Sequence, residues 1–471
     1  MKKNLFKISL FLLFAVFSAA FAQSSPCEKM TIDGKQYYLY VSNSRETLAD
    51  ISRKFNVSEN EILESNYLLA RRGRRKVESI KIPVKEGSNP CESAMAVEQP
   101  QQAAPNEQEV QQPAYGKKTL KVAYLMPFAL NETQPNPGND RFMEFYQGSL
   151  LAIEDLKNEG VSFEIHAYDT GMDTALLGHI LTKPELKEMD IFIGPVYTSQ
   201  MKKVSDYTKK FGITHVVPFS AQTAETMSNP VLFQCNTSSA HQTEIAARRF
   251  ARNFNDRPVL IVEFQDVQEI SNKTGELVAA LKRELQYNNV PFQAVIYSDQ
   301  NLPTITQAMA DDGENIVVLG TTDAVALTGI ISQLKASSKD FALFGMPDWQ
   351  TDSAVQEQVF SCKLYLFTPF YIDDLAADVM RFRQNFVDAF GAYNQSSMPF
   401  FNFYGYDVSF YFLSALARYG NDFVRNLPSL QVSTLQSTFK FERGYSQGGF
   451  INNGLFLLKY TPDEPVEKRP F

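Results

Sequence analysis

The 471-residue chain holds one tryptophan, four cysteines and four histidines. The histidines (His166, His179, His215 and His241) form no i, i+4 pair and no metal-like array, so no metal site is expected. There is no Gly-x-Ser-x-Gly, no Cys–His pairing signal and no phosphate-cradling Gly-Lys loop. Neither catalysis nor a cofactor is therefore expected. A net charge of -8 excludes a chain driven onto nucleic acid by phosphate neutralisation. Past the N-terminus no apolar run is long enough to span a bilayer, so no membrane span is expected.

What is present begins with an export signal. Lys2 and Lys3 precede an apolar stretch from Leu5 to Phe21, and Ala20-Phe21-Ala22 is a cleavage site. Residues 1–22 are read as a cleaved signal peptide, which places the mature protein in the periplasm. No Cys follows the small residues directly, so no lipid anchor is expected. In an oxidising compartment Cys27 and Cys91, which flank one compact segment, are the expected disulfide. Cys235 and Cys362 are either a second bridge or two buried thiols.

Composition divides the rest. Residues 27–91 are patterned as a small domain. Residues 92–117 include QPQQAAPNEQEVQQPAYG, which buries too little apolar surface to fold and reads as a flexible linker. Residues 118–460 alternate strand and helix, and 461–471 (TPDEPVEKRPF) read as a disordered tail.

In the small domain, β-prone runs at Tyr37 to Val41 and Ile80 to Val84 bracket two helix signatures. Leu48, Ile51 and Phe55 recur at helical spacing after Thr47, and Ser58 with Glu61 forms a capping box. The order is β, α, α, β. The residues Val41, Thr47-Leu48, Ile51-Ser52, Val57-Ser58, Ile62, Asn66 and Ile82-Pro83 resemble the LysM family in type and spacing. That resemblance implies binding of N-acetylglucosamine-containing glycan such as peptidoglycan. The groove it implies is formed by Asn43, Ser44, Arg45, Glu46 and Thr47 with Asn66, Tyr67 and Leu68. Arg45-Glu46 replaces the family's usual Gly followed by an acid. The basic run Arg71, Arg72, Arg74, Arg75 and Lys76 is either a solvated loop or a contact for anionic envelope groups.

In the large domain, KVAYLM is a near-continuous apolar strand of the kind buried in a parallel sheet. Phe142, Phe145, Ser149, Ile153 and Leu156 then share one helical face that ends at Gly160. Strands at Phe163 to Tyr168, Asp190 to Ile193 and Thr214 to Val217 follow. A second set starts at Pro258 with VLIVEF, PFQAVIY, NIVVLG, ALFGMP and LYLFTPF. Two successive βα arrays predict two doubly wound parallel-sheet lobes, an α/β fold.

KVAYLMPF with FYQGSLLAIEDLKNEG, IFIGPVYTSQMKKVSDYTKKFGITHVVPFSAQT, FGMPDW and FYGYDVSFYFLSALA resemble, in order, landmarks of the type I periplasmic binding proteins, the leucine-binding and receptor ligand-binding family. The late YDV-type helix implies that the chain crosses between lobes more than once. Ligands bind beyond the carboxyl ends of such strands. By the resemblance, Thr198 and Ser199, and Ser220 or Thr223, would hold a carboxylate. Asp348 would meet an ammonium, Trp349 or Phe219 would stack on the ligand, and Thr322 lies on a facing loop. The family's second-lobe Tyr, due near Asn272-Lys273, is absent.

The expected function is therefore that of a wall-associated periplasmic binding protein. In it the LysM module holds peptidoglycan, and the bilobed domain is an envelope scaffold or regulator with an interlobe cleft. Its arrangement is similar to outer-membrane activators of peptidoglycan synthases that use this fold. The alternative is a solute-binding protein for an amino acid, peptide or muropeptide. The expected partners are peptidoglycan and either a small solute or an envelope protein.

Overall fold

The computed structural model describes residues 28–32, 35–42, 47–65, 78–85, 119–130, 137–264, 272–298, 300–350, 352–374, 376–391, 393, 398–462 and 464–471. The expected signal peptide (1–22), the expected linker (92–117), Cys27, Cys91 and the 71–76 basic run lie outside them. The chain divides into two compact units, the first within residues 1–101 and the second containing everything from residue 102 onward.

The first unit runs β1 (Glu28–Ile32), β2 (Lys35–Ser42), α1 (Leu48–Phe55), α2 (Glu59–Ser65), β3 (Glu78–Pro83). The β, α, α, β order matches the sequence pattern, and β1 is an addition, paired antiparallel with β2. Period-2 patterning brings Tyr38 opposite Ile82 and Tyr40 opposite Ile80 on one face of the β2–β3 pair. These four side chains pack with Ile51, Phe55, Val57 and Ile62. Both helices start with reciprocal caps: Thr47 with Asp50, and Ser58 with Glu61.

The second unit starts with β4 (Thr119–Met126), α3 (Pro137–Asn158), β5 (Ser162–Asp169), α4 (Thr174–Ile180), β6 (Ile191–Ile193), α5 (Thr198–Phe211), β7 (Thr214–Val217) and β8 (Leu232–Gln234). The chain then crosses to a second lobe of α6 (Ser239–Asn253), β9 (Val259–Phe264), α7 (Asn272–Tyr287), β10 (Phe292–Tyr297), α8 (Leu302–Gln307), β11 (Asn315–Leu319), α9 (Ala324–Ala336), β12 (Phe341–Gly345), α10 (Ser353–Phe360) and β13 (Leu364–Thr368). It returns to the first lobe for α11 (Ala377–Phe390), α12 (Phe401–Tyr419), β14 (Phe441–Arg443) and β15 (Phe450–Asn452). It ends in the second with β16 (Phe456–Tyr460) and β17 (Glu467–Pro470).

Lobe 1 is the sheet β14-β15-β8-β7-β6-β4-β5, and lobe 2 is β10-β9-β11-β12-β13-β16-β17. The cores of both sheets are parallel, as the apolar strand runs predict. Each sheet also carries late antiparallel strands that the sequence pattern did not reveal. The segment read as a disordered tail is one of them. β17 pairs with β16, and Phe471 is buried in the lobe 2 core, with its amide donating to Leu455 O at 2.7 Å. One aromatic anchor and a ladder partner outweigh a polar composition. Cys235 and Cys362 are free thiols buried in different lobe cores, which settles that they do not pair.

In lobe 1, α3 and α12 approach backbone to backbone. A Cβ on Gly148 would lie 1.8 Å from Asn402 O, and one on Gly405 would lie 1.8 Å from Phe145 O. Only glycine permits that approach. It lays the YDV-type helix across lobe 1, so the chain must leave lobe 2 to supply it.

Candidate functional site

The loops at the carboxyl ends of the parallel strands form the candidate binding face of each lobe. In lobe 1 these loops are stitched together. The Asp169 carboxylate, at the end of β5, accepts from Leu130 N at 2.8 Å and Gly171 N at 3.0 Å. The buried Gln200, in the first turn of α5, donates to Thr170 O and Gly171 O, both at 3.2 Å. After β6 the chain turns through a cis Gly194–Pro195 bond, with Gly194 at φ 109°. Its Cβ would sit 2.2 Å from Leu125 O, so the turn needs glycine. The His215 ring lies beneath, its Nε2 2.9 Å from Gly194 O. Burial lowers its pKa to about 4, which keeps it neutral.

Thr198 and Ser199 stand exposed in the first turn of α5, whose N-cap residue Tyr197 makes no side-chain capping bond. Their position leaves amide N–H groups directed to the strand ends, an arrangement suited to anions. Ser220 and Thr223 follow the neighbouring strand β7. Strands β6 and β7 pair in register, so these two and the Thr198-Ser199 pair share one edge of the lobe. Ser220 donates its hydroxyl to Gln222 O at 2.7 Å, whereas the buried Thr223 hydroxyl has no partner among the described residues. Phe219 is held among Phe142, Phe145, Phe401 and Tyr404, stacked on Phe401 at 5.7 Å between centroids.

In lobe 2, Thr322 follows β11 and Asp348-Trp349 follow the adjacent β12. Asp348 is exposed in a short 3₁₀ turn, just ahead of Asp352, which caps α10. Trp349 is fully buried and donates from Nε1 to Thr321 O at 2.9 Å. Its ring covers Gly345, where a Cβ would lie 1.9 Å from the indole. One of the two aromatics expected to stack on a ligand thus fills the core. A lone large aromatic beside a glycine reads the same way in sequence for either role. The facing loop at 265–271 is outside the described residues. So are Asn43, Ser44, Arg45, Glu46, Asn66, Tyr67 and Leu68 of the expected glycan groove. Only Thr47 of that set is described, as the N-cap of α1.

Three crossovers join the lobes, at residues 235–238, 369–376 and 453–455. They meet around a small cavity of about 10 Å³, bordered by Cys235, Asn236, Phe370, Ser437 and Asn452. The late YDV-type helix implied more than one crossing, but nothing local in the sequence marked where the crossovers meet.

No curated protein matches the chain. Among solved structures, one described as a branched-chain amino acid ABC transporter from Rhodospirillum rubrum aligns at 15% identity and a TM-score of 0.50, covering 75% of this chain and 100% of that one. Full-length LpoA from Haemophilus influenzae aligns at 13% identity and a TM-score of 0.46, covering 76% of this chain and 60% of that one. The first likeness concerns the fold. A family model described as periplasmic binding protein matches residues 137–461. That span is more than half of the chain, covers most of both lobes and all three crossovers, and the chain belongs to the periplasmic binding protein family.

Proposed function

We propose that this is an exported, wall-associated binding protein. Its N-terminal unit holds peptidoglycan glycan, and its bilobed unit serves as a fixed envelope scaffold or regulator rather than a diffusing solute carrier. The observation that carries this reading is the first unit's β2-α1-α2-β3 order with Thr47 capping α1. The cap sets the helix start beside residues 43–46, where the LysM resemblance puts the glycan groove. A tethering module gives a solute carrier little advantage and gives a scaffold its location. The burial of Trp349 also removes one of the aromatics that an amino-acid pocket would use. The test is co-sedimentation of the mature protein with peptidoglycan sacculi. Binding that is competed by chitin oligosaccharides is expected, and a protein left wholly in the supernatant overturns the reading.

A second reading, a cleft that closes on a small anionic solute, is favoured by Thr198 and Ser199 at the uncapped start of α5. A thermal-shift screen of amino acids, peptides and muropeptides separates the two. A ligand bound only by the native state raises the melting temperature, by about 2.7 kcal/mol of added stability at a hundred times Kd. Such a hit replaces the pure scaffold with the solute reading.

A further inference from the structure

The adjacent asparagines at the third crossover have different tasks. Asn452 is buried and uses its whole amide. Nδ2 donates to Cys235 O at 3.1 Å and Thr438 O at 3.0 Å, and Oδ1 accepts from Lys440 N at 2.8 Å and Gly454 N at 2.9 Å. It thereby ties the first crossover to the third and both to the loop before β14. A Cβ on Gly454 would lie 2.3 Å from Thr438 O, so the backbone is also packed tightly there.

Asn453 reaches across the lobes. Its backbone N–H donates to Lys440 O at 2.8 Å, and its Nδ2 donates to Glu442 Oε2 at 2.8 Å, both on the lobe 1 side. Its Oδ1 lies 2.8 Å from His241 Nε2, and its carbonyl accepts from Arg249 Nη2 at 2.8 Å. His241 and Arg249 both stand on α6, whose apolar face is part of the lobe 2 core. One residue is thus held at two points by each lobe. Rotation of α6 away from β14 about the crossovers cannot keep all four contacts, because each has a narrow range of length and angle.

We propose that Asn453 is the latch of the interlobe hinge, fastening β14 of lobe 1 to α6 of lobe 2, while Asn452 keeps the crossovers themselves assembled. This goes beyond either functional reading, since scaffold and solute carrier alike need a defined lobe angle. The hinge carries its own reporter. Cys235 borders the cavity where the crossovers meet and is 4% exposed, whereas Cys362 is 5% exposed in the lobe 2 core away from it. The two thiols start almost equally hidden, and only one lies at the hinge.

The experiment is native alkylation of the intact protein with iodoacetamide, with each cysteine followed by peptide mass mapping. In Asn453→Ala the rate at Cys235 is expected to rise roughly tenfold while Cys362 stays at its wild-type rate, since labelling follows the local opening population. His241→Ala and Arg249→Ala should each raise Cys235 labelling by a smaller factor, and His241→Gln, which keeps a donor, should restore it. Asn452→Ala should lower the melting temperature. An unchanged Cys235 rate in Asn453→Ala, or equal rises at both thiols, overturns the latch. If Asn453→Ala does not fold, the two α6 variants decide in the same way: a rise at Cys235 alone supports the latch, and any other pattern ends it.

Discussion

Lobe 1 carries two fully buried titratable side chains, Asp407 and His215, whereas lobe 2 balances its nearly buried Glu314 with cations that reach solvent. In lobe 1 the Asp407 carboxylate is fully buried and accepts three backbone N–H groups, from Leu435 at 2.6 Å, Gln436 at 2.9 Å and Ser437 at 2.6 Å. In lobe 2, Glu314 pairs with Arg257 and Lys363, whose side chains remain about a third exposed. Close packing differs as well. Lobe 1 meets backbone on backbone at Gly405, and lobe 2 meets side chain on backbone at Gly320, where a Cβ would lie 2.6 Å from Val278 Cγ2. The two lobes share a seven-stranded layout, so the difference lies in what else each must hold. Asp407 organises the 435–437 loop, and Gln436 O in turn accepts from Tyr371 N of the second crossover at 2.9 Å. Lobe 1 uses buried polarity to fix a loop that the hinge rests on.

The strongest break of this comparison is Gly405→Ala. The α3 and α12 backbones must separate, at a cost of about 3 kcal/mol or more. Gly320→Ala should cost about 1 kcal/mol, because a side chain can yield where a carbonyl cannot. Urea denaturation measures both, and Trp349 fluorescence follows lobe 2 selectively, since it is the chain's one tryptophan. Equal costs would erase the distinction.

Acidity tests the buried groups. Desolvation raises the Asp407 pKa to about 6 against the ordinary 3.8, despite its three amide donors. The folded state therefore takes up this proton first, and stability rises as pH falls through 6 towards 3.8. His215 runs the other way. Its folded pKa of about 4 against 6.5 unfolded means stability falls as pH drops from 6.5 to 4. Each effect reaches about 3 kcal/mol at full extent, so in the wild type they largely cancel. Relative to wild type, His215→Gln should gain stability on acidification from pH 6.5 to 4, and Asp407→Asn should lose it. Asp407→Asn should also cost about 2 kcal/mol at pH 7, since one acceptor facing backbone donors is replaced by an NH2. Parallel pH profiles for the two variants would refute the opposition.

The smallest effect belongs to lobe 2. Glu314→Gln should cost about 1 kcal/mol, decreasing with added salt, because both cations can turn to solvent. A salt-independent loss above that of Asp407→Asn would place the critical buried charge in lobe 2 instead.

Most of the parallel strands were legible as apolar runs, although β5 and β10 alternate with polar residues, and the three-residue β8, which pairs parallel with β7, was not read. The first unit's helices were legible because Thr47 and Ser58 carry caps in their own local sequence. The late strands were not, since β14 and β15 are three residues each, and β17 is a polar edge held by the single anchor Phe471. Of the candidate site, strand order alone placed Thr198, Ser199, Ser220, Thr223, Thr322 and Asp348 on loops at strand ends. It could not separate Trp349 in the core from Trp349 on a ligand, because burial depends on what lies opposite.

By itself the sequence determined the α/β class, the two strand–helix arrays and the caps, all of which follow from local periodicity and hydrogen bonding within a few residues. Only the tertiary structure decided where the crossovers meet, the Gly148–Gly405 helix contact and the Asn453 contacts with α6. The helix contact and the α6 contacts pair groups roughly 200 or more positions apart, and no local pattern records which distant partner will satisfy a buried donor or fill the space left by a missing Cβ.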